Sequence, residues 1–366
     1  MKPVVVLLAL LGAQESGDWP TYHGGFALDG VSAAELPDAP ARLWRFKAPA
    51  RVELTPVAAG GRIFVACDKG ILVALDLAGK EVWKAEVAKD TFASPPLAVD
   101  GLVVSGTANG SLVAFDQASG KPRWTYAVEG TVQGSPNRVA LAGGKKGIIA
   151  VSQADGTIHA VELETGKGAW KTEPIERCDG SPGIGDGRIV LGSCASALHV
   201  FSIEKAAKEQ DIALGGDSQV AGGVAFSGKT AFAGTRSGSV VAVDVAGGKV
   251  LWTNTDTKRE AFTTPAVNER LVVFGSDDGR IYGLRRDTGA KVWDFDTEGK
   301  PASPVIAGKR VVAAAGGRLF LLDLETGRKT WSADVSDHLT SPAIVAGMIV
   351  VGADDGTVTA FGKESR

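Results

Sequence analysis

Tryptophan recurs along this chain at a nearly constant interval, and no other feature limits its fold so strongly. Trp44, Trp83, Trp124, Trp170, Trp252, Trp293 and Trp331 are separated by 39, 41, 46, 82, 41 and 38 residues. The 82-residue gap is twice 41, so one member has been replaced, and the register assigns Ile212 to its place. Each Trp closes a segment of one kind, such as ALDLAGKEVW at 74–83 or LLDLETGRKTW at 321–331. Upstream of each lies a second shared block, of which TTPAVNERLVVFGSDDGRIYGL at 263–284 is typical. Together they predict four short strands every forty residues, joined by Gly and Asp turns. A unit of that size cannot cover both faces of its own sheet, so copies must pack on one another, and a radial β-propeller is the arrangement that does this. The 48 glycines among 366 residues supply the turns.

The openings count the blades. Thr55-Pro56, Ser94-Pro95, Ser135-Pro136, Ser181-Pro182, Gly222-Gly223, Thr264-Pro265, Ser303-Pro304 and Ser341-Pro342 make eight. The last repeat ends at Phe361 without a Trp strand, whereas the first Trp strand, ARLWRFKAP at 41–49, has no strands before it. The two halves complete each other. The expectation is an all-β, eight-bladed propeller of four-stranded antiparallel blades, closed by the strand around Trp44, which leaves no open sheet edge. It occupies residues 41–366 as one domain, preceded by a leader at 18–40. A monomer is expected.

Regular spacing in one strand position assigns the tryptophans to packing between blades, each ring filling a wedge-shaped gap and its N–H finding a backbone acceptor. Asp76, Asp116, Asp244 and Asp323 are expected to accept from turn N–H groups, with the following Gly at positive φ. The acidic turns at 154–156, 277–279 and 354–356 lack the alternating ligands and distal Glu of a calcium loop and read as hairpins. His159 and His199 share the repeat position of Tyr282 and Phe320 and read as inter-blade packing residues, while His23 and His338 have no second ligand at metal spacing. No metal site and no catalytic motif is found. Cys178 and Cys194 fall at one end of a single hairpin. A disulfide between them and a pair of free thiols are both compatible with that placement.

The run Val4 to Leu11 after Lys2 is too short to span a bilayer and suits an export signal over 1–17, which gives a periplasmic or otherwise extracytoplasmic protein; an ordinary apolar N-terminal strand is the alternative. No Cys follows the run to carry a lipid anchor. With 39 basic and 42 acidic side chains the net charge is −3, which excludes the strong positive field that nucleic acid requires.

The shared form Ala-x-Asp-x-x-Thr-Gly-Lys-x-x-Trp, together with Asp18-Trp19-Pro20-Thr21-Tyr22-His23-Gly24-Gly25, resembles the tryptophan-docking repeat and leader of the pyrroloquinoline quinone (PQQ) propeller superfamily. One branch contains PQQ-dependent alcohol and sugar dehydrogenases, with a quinone over the channel, usually a calcium ion and, in the alcohol group, an adjacent Cys-Cys pair. This chain has no such pair and no spare channel Trp. The other branch is similar to the propeller lipoprotein of the outer-membrane β-barrel assembly machine, a non-catalytic scaffold. That resemblance implies no cofactor and protein partners in the cell envelope, outer-membrane assembly components among them; PQQ and calcium belong to the dehydrogenase alternative. Loops between blades and between second and third strands share one face, where a rigid scaffold displays function. Counting back from the openings places Glu53, Phe92, Gln133, Asp179 and Phe262 around the channel mouth, joined by Arg236. Two exposed aromatics among scattered charges suit a protein-contact surface.

Overall fold

The computed structural model describes residues 17–364, so the expected signal segment lies, apart from Gly17, outside the described residues. Eight separate sheets stand around one axis. The first blade runs Val57–Ala59, Arg62–Cys67, Ile71–Asp76 and Glu81–Glu86 from the axis outward, antiparallel throughout. The last blade holds Ala343–Val345, Met348–Gly352 and Thr357–Gly362, and its outermost strand is Ala41–Lys47, with Trp44 opposite Ala360. The ring closes as the sequence predicts.

Burial follows from this geometry. The second and third strands of a blade are covered on both faces by neighbouring blades, so they are apolar and buried almost without interruption, as in Leu271–Ser276. The outermost strands alternate between covered and exposed residues, as in Glu81–Glu86. Side chains from adjacent blades therefore share cores: Phe232 and Trp252 pack with Val272, Phe274 and Tyr282 of the next sheet.

The tryptophans form those seams. Trp293 Nε1–H donates to Leu324 O at 2.9 Å, and Trp44, Trp83, Trp124 and Trp252 donate to Leu77, Gln117, Leu163 and Arg286 in the same way. Each indole lies over the turn of the following blade. At Gly327, where φ is +67°, an added Cβ would stand 2.6 Å from the Trp293 ring, so only glycine admits both the left-handed backbone and the indole. Asp323 Oδ1 caps the same turn by accepting from Thr326 N, and Asp76, Asp116 and Asp244 do likewise from Ala78, Ser119 and Gly247.

The fourth blade corrects one expectation. Its docking position belongs to Gln210, not Ile212. Every docking Trp pairs just after a bulge in its strand, and there Gln210 stands opposite Val200. Its Nε2 donates to Val245 O at 2.6 Å, the acceptor that an indole would use, while Ile212 sits two residues on, buried opposite Leu198. Because Gly248 already leaves the left-handed turn open to an indole, Gln210→Trp is expected to raise the melting midpoint by roughly 2 to 4 °C. Scanning calorimetry checks this, and an unchanged or lower midpoint would show that the slot has closed.

Candidate functional site

The leader decides what the axis can hold. Rather than trailing outside the ring, residues 17–32 run once around the axis, across the channel end where the innermost hairpins turn. Trp19 exchanges two 2.8 Å backbone hydrogen bonds with Ala58 of the first blade, and Pro20 O accepts from Ala98 of the second. Phe26, Ala27, Asp29 and Gly30 carbonyls then accept from Ile184, Phe226, Val267 and Ile306 of the fourth to seventh. Gly17 O accepts from Ala346 of the eighth, and Thr21 Oγ1 shares a 2.9 Å hydrogen bond with Ser135 Oγ of the third. All eight blades are joined. Val31–Ser32 then adds a fifth strand, parallel to Val305–Ala307.

Between those anchors the segment Thr21–Gly24 folds back into the axis. Tyr22 Oη and Ser303 Oγ are 2.6 Å apart, and Thr264 Oγ1 lies 3.3 Å from the same phenol oxygen. His23 is fully buried, with Nδ1 2.9 Å from Leu28 O and Nε2 3.0 Å from Pro304 O. Burial holds its imidazole below the ordinary value, against the pull of both carbonyls. Gly30 has φ +68°, and a Cβ there would stand 2.2 Å from the His23 ring, which leaves glycine as the residue that fits. Trp19 is 1% exposed.

Asp29 belongs to the same plug, and burial pushes its carboxyl up to about 6, against a hydrogen bond from the Val31 N–H. Folding therefore takes up a proton between the ordinary carboxylate range and pH 6. The stability this group contributes is present below that range and is lost as pH rises through about 6. Asp29→Asn, which keeps the neutral shape, is expected to raise the unfolding midpoint more at pH 8 than at pH 5. Equal shifts at the two pH values would remove Asp29 as the source.

At the opposite end lies the predicted contact face, and the structure divides its residues. Glu53, Gln133 and Arg236 are exposed, and Asp179 and Phe262 are half-buried. Phe92 is the exception, only 6% exposed and edge-on to Phe115 at 6.5 Å. The reason is register. In each of several blades one residue's carbonyl accepts from the loop after the second strand, as Arg51 O accepts from Asp68 N and Thr91 O from Ala108 N. The next residue is buried in six of these, Val52, Phe92, Val132, Cys178, Val220 and Ala261, and half-buried in the eighth blade, where Leu339 follows His338. The second repeat has one residue fewer between this position and its Ser-Pro, so counting back by two reaches the packing residue.

Two clusters remain on the face. Gln153 Nε2 donates to both Gln133 Oε1 and, at 2.7 Å, Asp179 Oδ1, which also accepts from Arg177 Nε at 3.0 Å. Two blades further round, the Phe262 ring lies between the Arg236 guanidinium at 5.9 Å and Lys300 Nζ at 5.8 Å, within cation–π range. Lys300 pairs with Asp277 at 2.7 Å, whereas Arg236 makes no salt bridge among the described residues.

One arrangement that the sequence did not reveal looks catalytic. Ser193 Oγ lies 2.7 Å from His199 Nε2, and His199 Nδ1 lies 2.7 Å from Asp211 Oδ1, the order of a nucleophile, base and orienting acid. Ser193 is wholly buried and its Oγ also accepts from Ala195 N, so no substrate can reach it. It braces the second, third and outermost strands of the fourth blade. No spacing signal links positions 193, 199 and 211. His159, by contrast, packs between blades, edge-on to Tyr126 at 5.8 Å.

The residues do not fit a bound quinone. Such a cofactor needs an aromatic platform and convergent polar groups around an open pocket. The one indole at the axis, Trp19, is sealed beneath the leader turn, 3.2 Å from where a Gly24 Cβ would stand. Tyr22 and His23 fill the adjoining space with their polar atoms already engaged. Two surface grooves, one lined by Glu298, Arg318 and Asp334 and the other by Lys69, Lys89 and Asn109, carry no aromatic platform. Among the described residues no three His, Cys, Asp or Glu side chains converge as metal ligands.

A closed eight-bladed ring with indole-docked seams is the architecture of the PQQ-like propellers. Within that class, the family model described as outer membrane protein assembly factor BamB matches residues 33–173, 206–338 and 300–366, and the chain belongs to that family. The outer membrane protein assembly factor BamB of Burkholderia pseudomallei (strain K96243) is 28% identical over 284 residues, covering 74% of this chain and 73% of the relative. The crystal structure of BamB from Moraxella catarrhalis superposes with a TM-score of 0.73 at 18% identity, covering 90% of this chain and 99% of that one. Quinohemoprotein alcohol dehydrogenase from Comamonas testosteroni gives 0.78 at 15% identity, covering 97% and 82%, a likeness of fold alone.

Proposed function

We propose that this chain is a non-catalytic, exported scaffold that binds envelope proteins through the loop face opposite the plug and serves outer-membrane protein assembly, as its relatives' names describe for them. The observation that carries this reading is the plugged axis. The leader end of the axis is filled by Trp19, Tyr22 and His23 of the chain itself, which leaves the loops of the opposite face as the surface around the channel mouth. On that face Arg236 and Phe262 combine the residue types that dominate binding energy at protein contacts, an aromatic ring beside an arginine without a carboxylate partner.

The test is capture of outer-membrane barrel-assembly components from solubilised envelopes by the immobilised chain. The double substitution Phe262→Ala, Arg236→Ala is expected to lower capture about tenfold or more with the melting midpoint unchanged. Full capture by the double variant would move the contact to another surface. Saturable binding of PQQ and calcium by the unmodified chain would overturn the non-catalytic reading.

A further inference from the structure

The fourth blade lacks the docking indole that the other seven share. Gln210 replaces its docking indole, and Ala206, at φ 51°, stands where other turns have glycine. The blade after it opens with Gly222-Gly223 in place of Ser/Thr-Pro. This blade alone also carries cysteine at two positions that face each other in the repeat. Cys178 takes the buried position held by Val52, Val132 and Val220 elsewhere, and Cys194 that of Asp68, Gln153 and Arg236.

A hydrogen bond common to these blades fixes the two positions relative to one another. Cys194 N–H donates to Arg177 O at 3.1 Å, as Asp68 donates to Arg51 and Arg236 to Gln219. The carbonyl of residue 177 is bonded to the nitrogen of Cys178, so the two Cα atoms stand within about 5 to 7 Å, the span a disulfide bridges. Both are thiols in the structure. The Cys178 Sγ–H donates to Glu176 O at 3.2 Å.

We propose that Cys178 and Cys194 form a disulfide that staples the opening of the fourth blade to the loop after its second strand, in a blade that lacks the docking indole. The half-exposed Cys194 thiolate attacks an external disulfide, releasing one thiolate and leaving a mixed disulfide. The Cys178 thiolate then displaces the second carrier thiolate. The two cysteines lose two protons and two electrons, and the carrier disulfide is reduced to two thiols. Burial pushes the Cys178 thiol up to about 12, so the second step is the slow one. Cys67, also pushed up to about 12 by burial and with no cysteine opposite, stays out of the exchange. An oxidising compartment belongs to the exported-scaffold reading, whereas the chemistry below does not depend on it.

The full chain is incubated with excess oxidised glutathione, alkylated under denaturing conditions and mapped by peptide mass. The expected product is one linked peptide pair containing Cys178 and Cys194, lighter by two hydrogens, with Cys67 alkylated. The unfolding midpoint is expected to rise by about 5 °C, a shift that reductant reverses, that Cys194→Ser abolishes and that Cys67→Ser preserves. Glutathione retained on Cys194 at equilibrium, both thiols alkylated, or a midpoint indifferent to the link would each overturn the proposal. A loss of partner capture with the link intact would count against the scaffold reading alone.

Discussion

A chain that starts at residue 35, with the closing strand Ala41–Lys47 kept, is expected to melt at least 10 °C below the full chain. The leader joins every blade: it carries backbone hydrogen bonds to six innermost strands and to the turn after a seventh, and a Thr21–Ser135 contact to the remaining blade. At about 0.5 to 1.5 kcal/mol net for each bond, their loss together with the uncovering of Trp19 outweighs any other local change in the molecule. Trp19→Ala alone separates the two contributions. It leaves the main-chain bonds in place and is expected to cost about 3 kcal/mol, near the lower end for a buried tryptophan, because its indole N–H has no hydrogen-bond partner among the described residues and none is lost. Circular dichroism melting of the two variants checks both, and a truncated chain with an unaltered midpoint would show that the thread is passive.

Trp293→Ala is expected to cost about 3 to 5 kcal/mol, because it empties a buried seam and leaves Leu324 O without its donor. Gln210→Ala, at the matching position of the fourth blade, removes one amide contact and is expected to cost about 1 kcal/mol. Urea unfolding of the pair gives the contrast directly. Equal losses would mean that the indoles contribute nothing beyond the hydrogen bond they share with Gln210, and the seam argument would fail.

The blade number, the strand order and the closure at Trp44 were all legible, because each depends on a period that survives in the sequence whatever the loops do. Errors arose where the period is locally broken. Ile212 was placed by the repeat's overall register across the 82-residue gap between Trp170 and Trp252. The reliable ruler is shorter: every docking residue except Trp44 follows a positive-φ turn residue by four, as Trp83 follows Gly79 and Gln210 follows Ala206. With alanine at that turn, the marker was hidden. Phe92 failed for a related reason, since the opening segments differ by one residue in length, and one residue exchanges the packed side of an extended chain for its exposed side.

The leader was the larger omission. Its sequence marked it as a segment apart, but nothing in Asp18-Trp19-Pro20-Thr21-Tyr22-His23 states that its partners are Ala58, Ala98, Ser135 and Pro304, which only the closed ring brings together. Repetition alone determined the ring, because sheets that cannot cover their own faces must cover one another's, and that requirement is written in every repeat. What fills the centre was decided by the tertiary structure, because a hole at the meeting point of eight sheets exists only after they have assembled. The segment that occupies it is selected by shape and by the inward-facing N–H groups of strands that lie far apart in the chain.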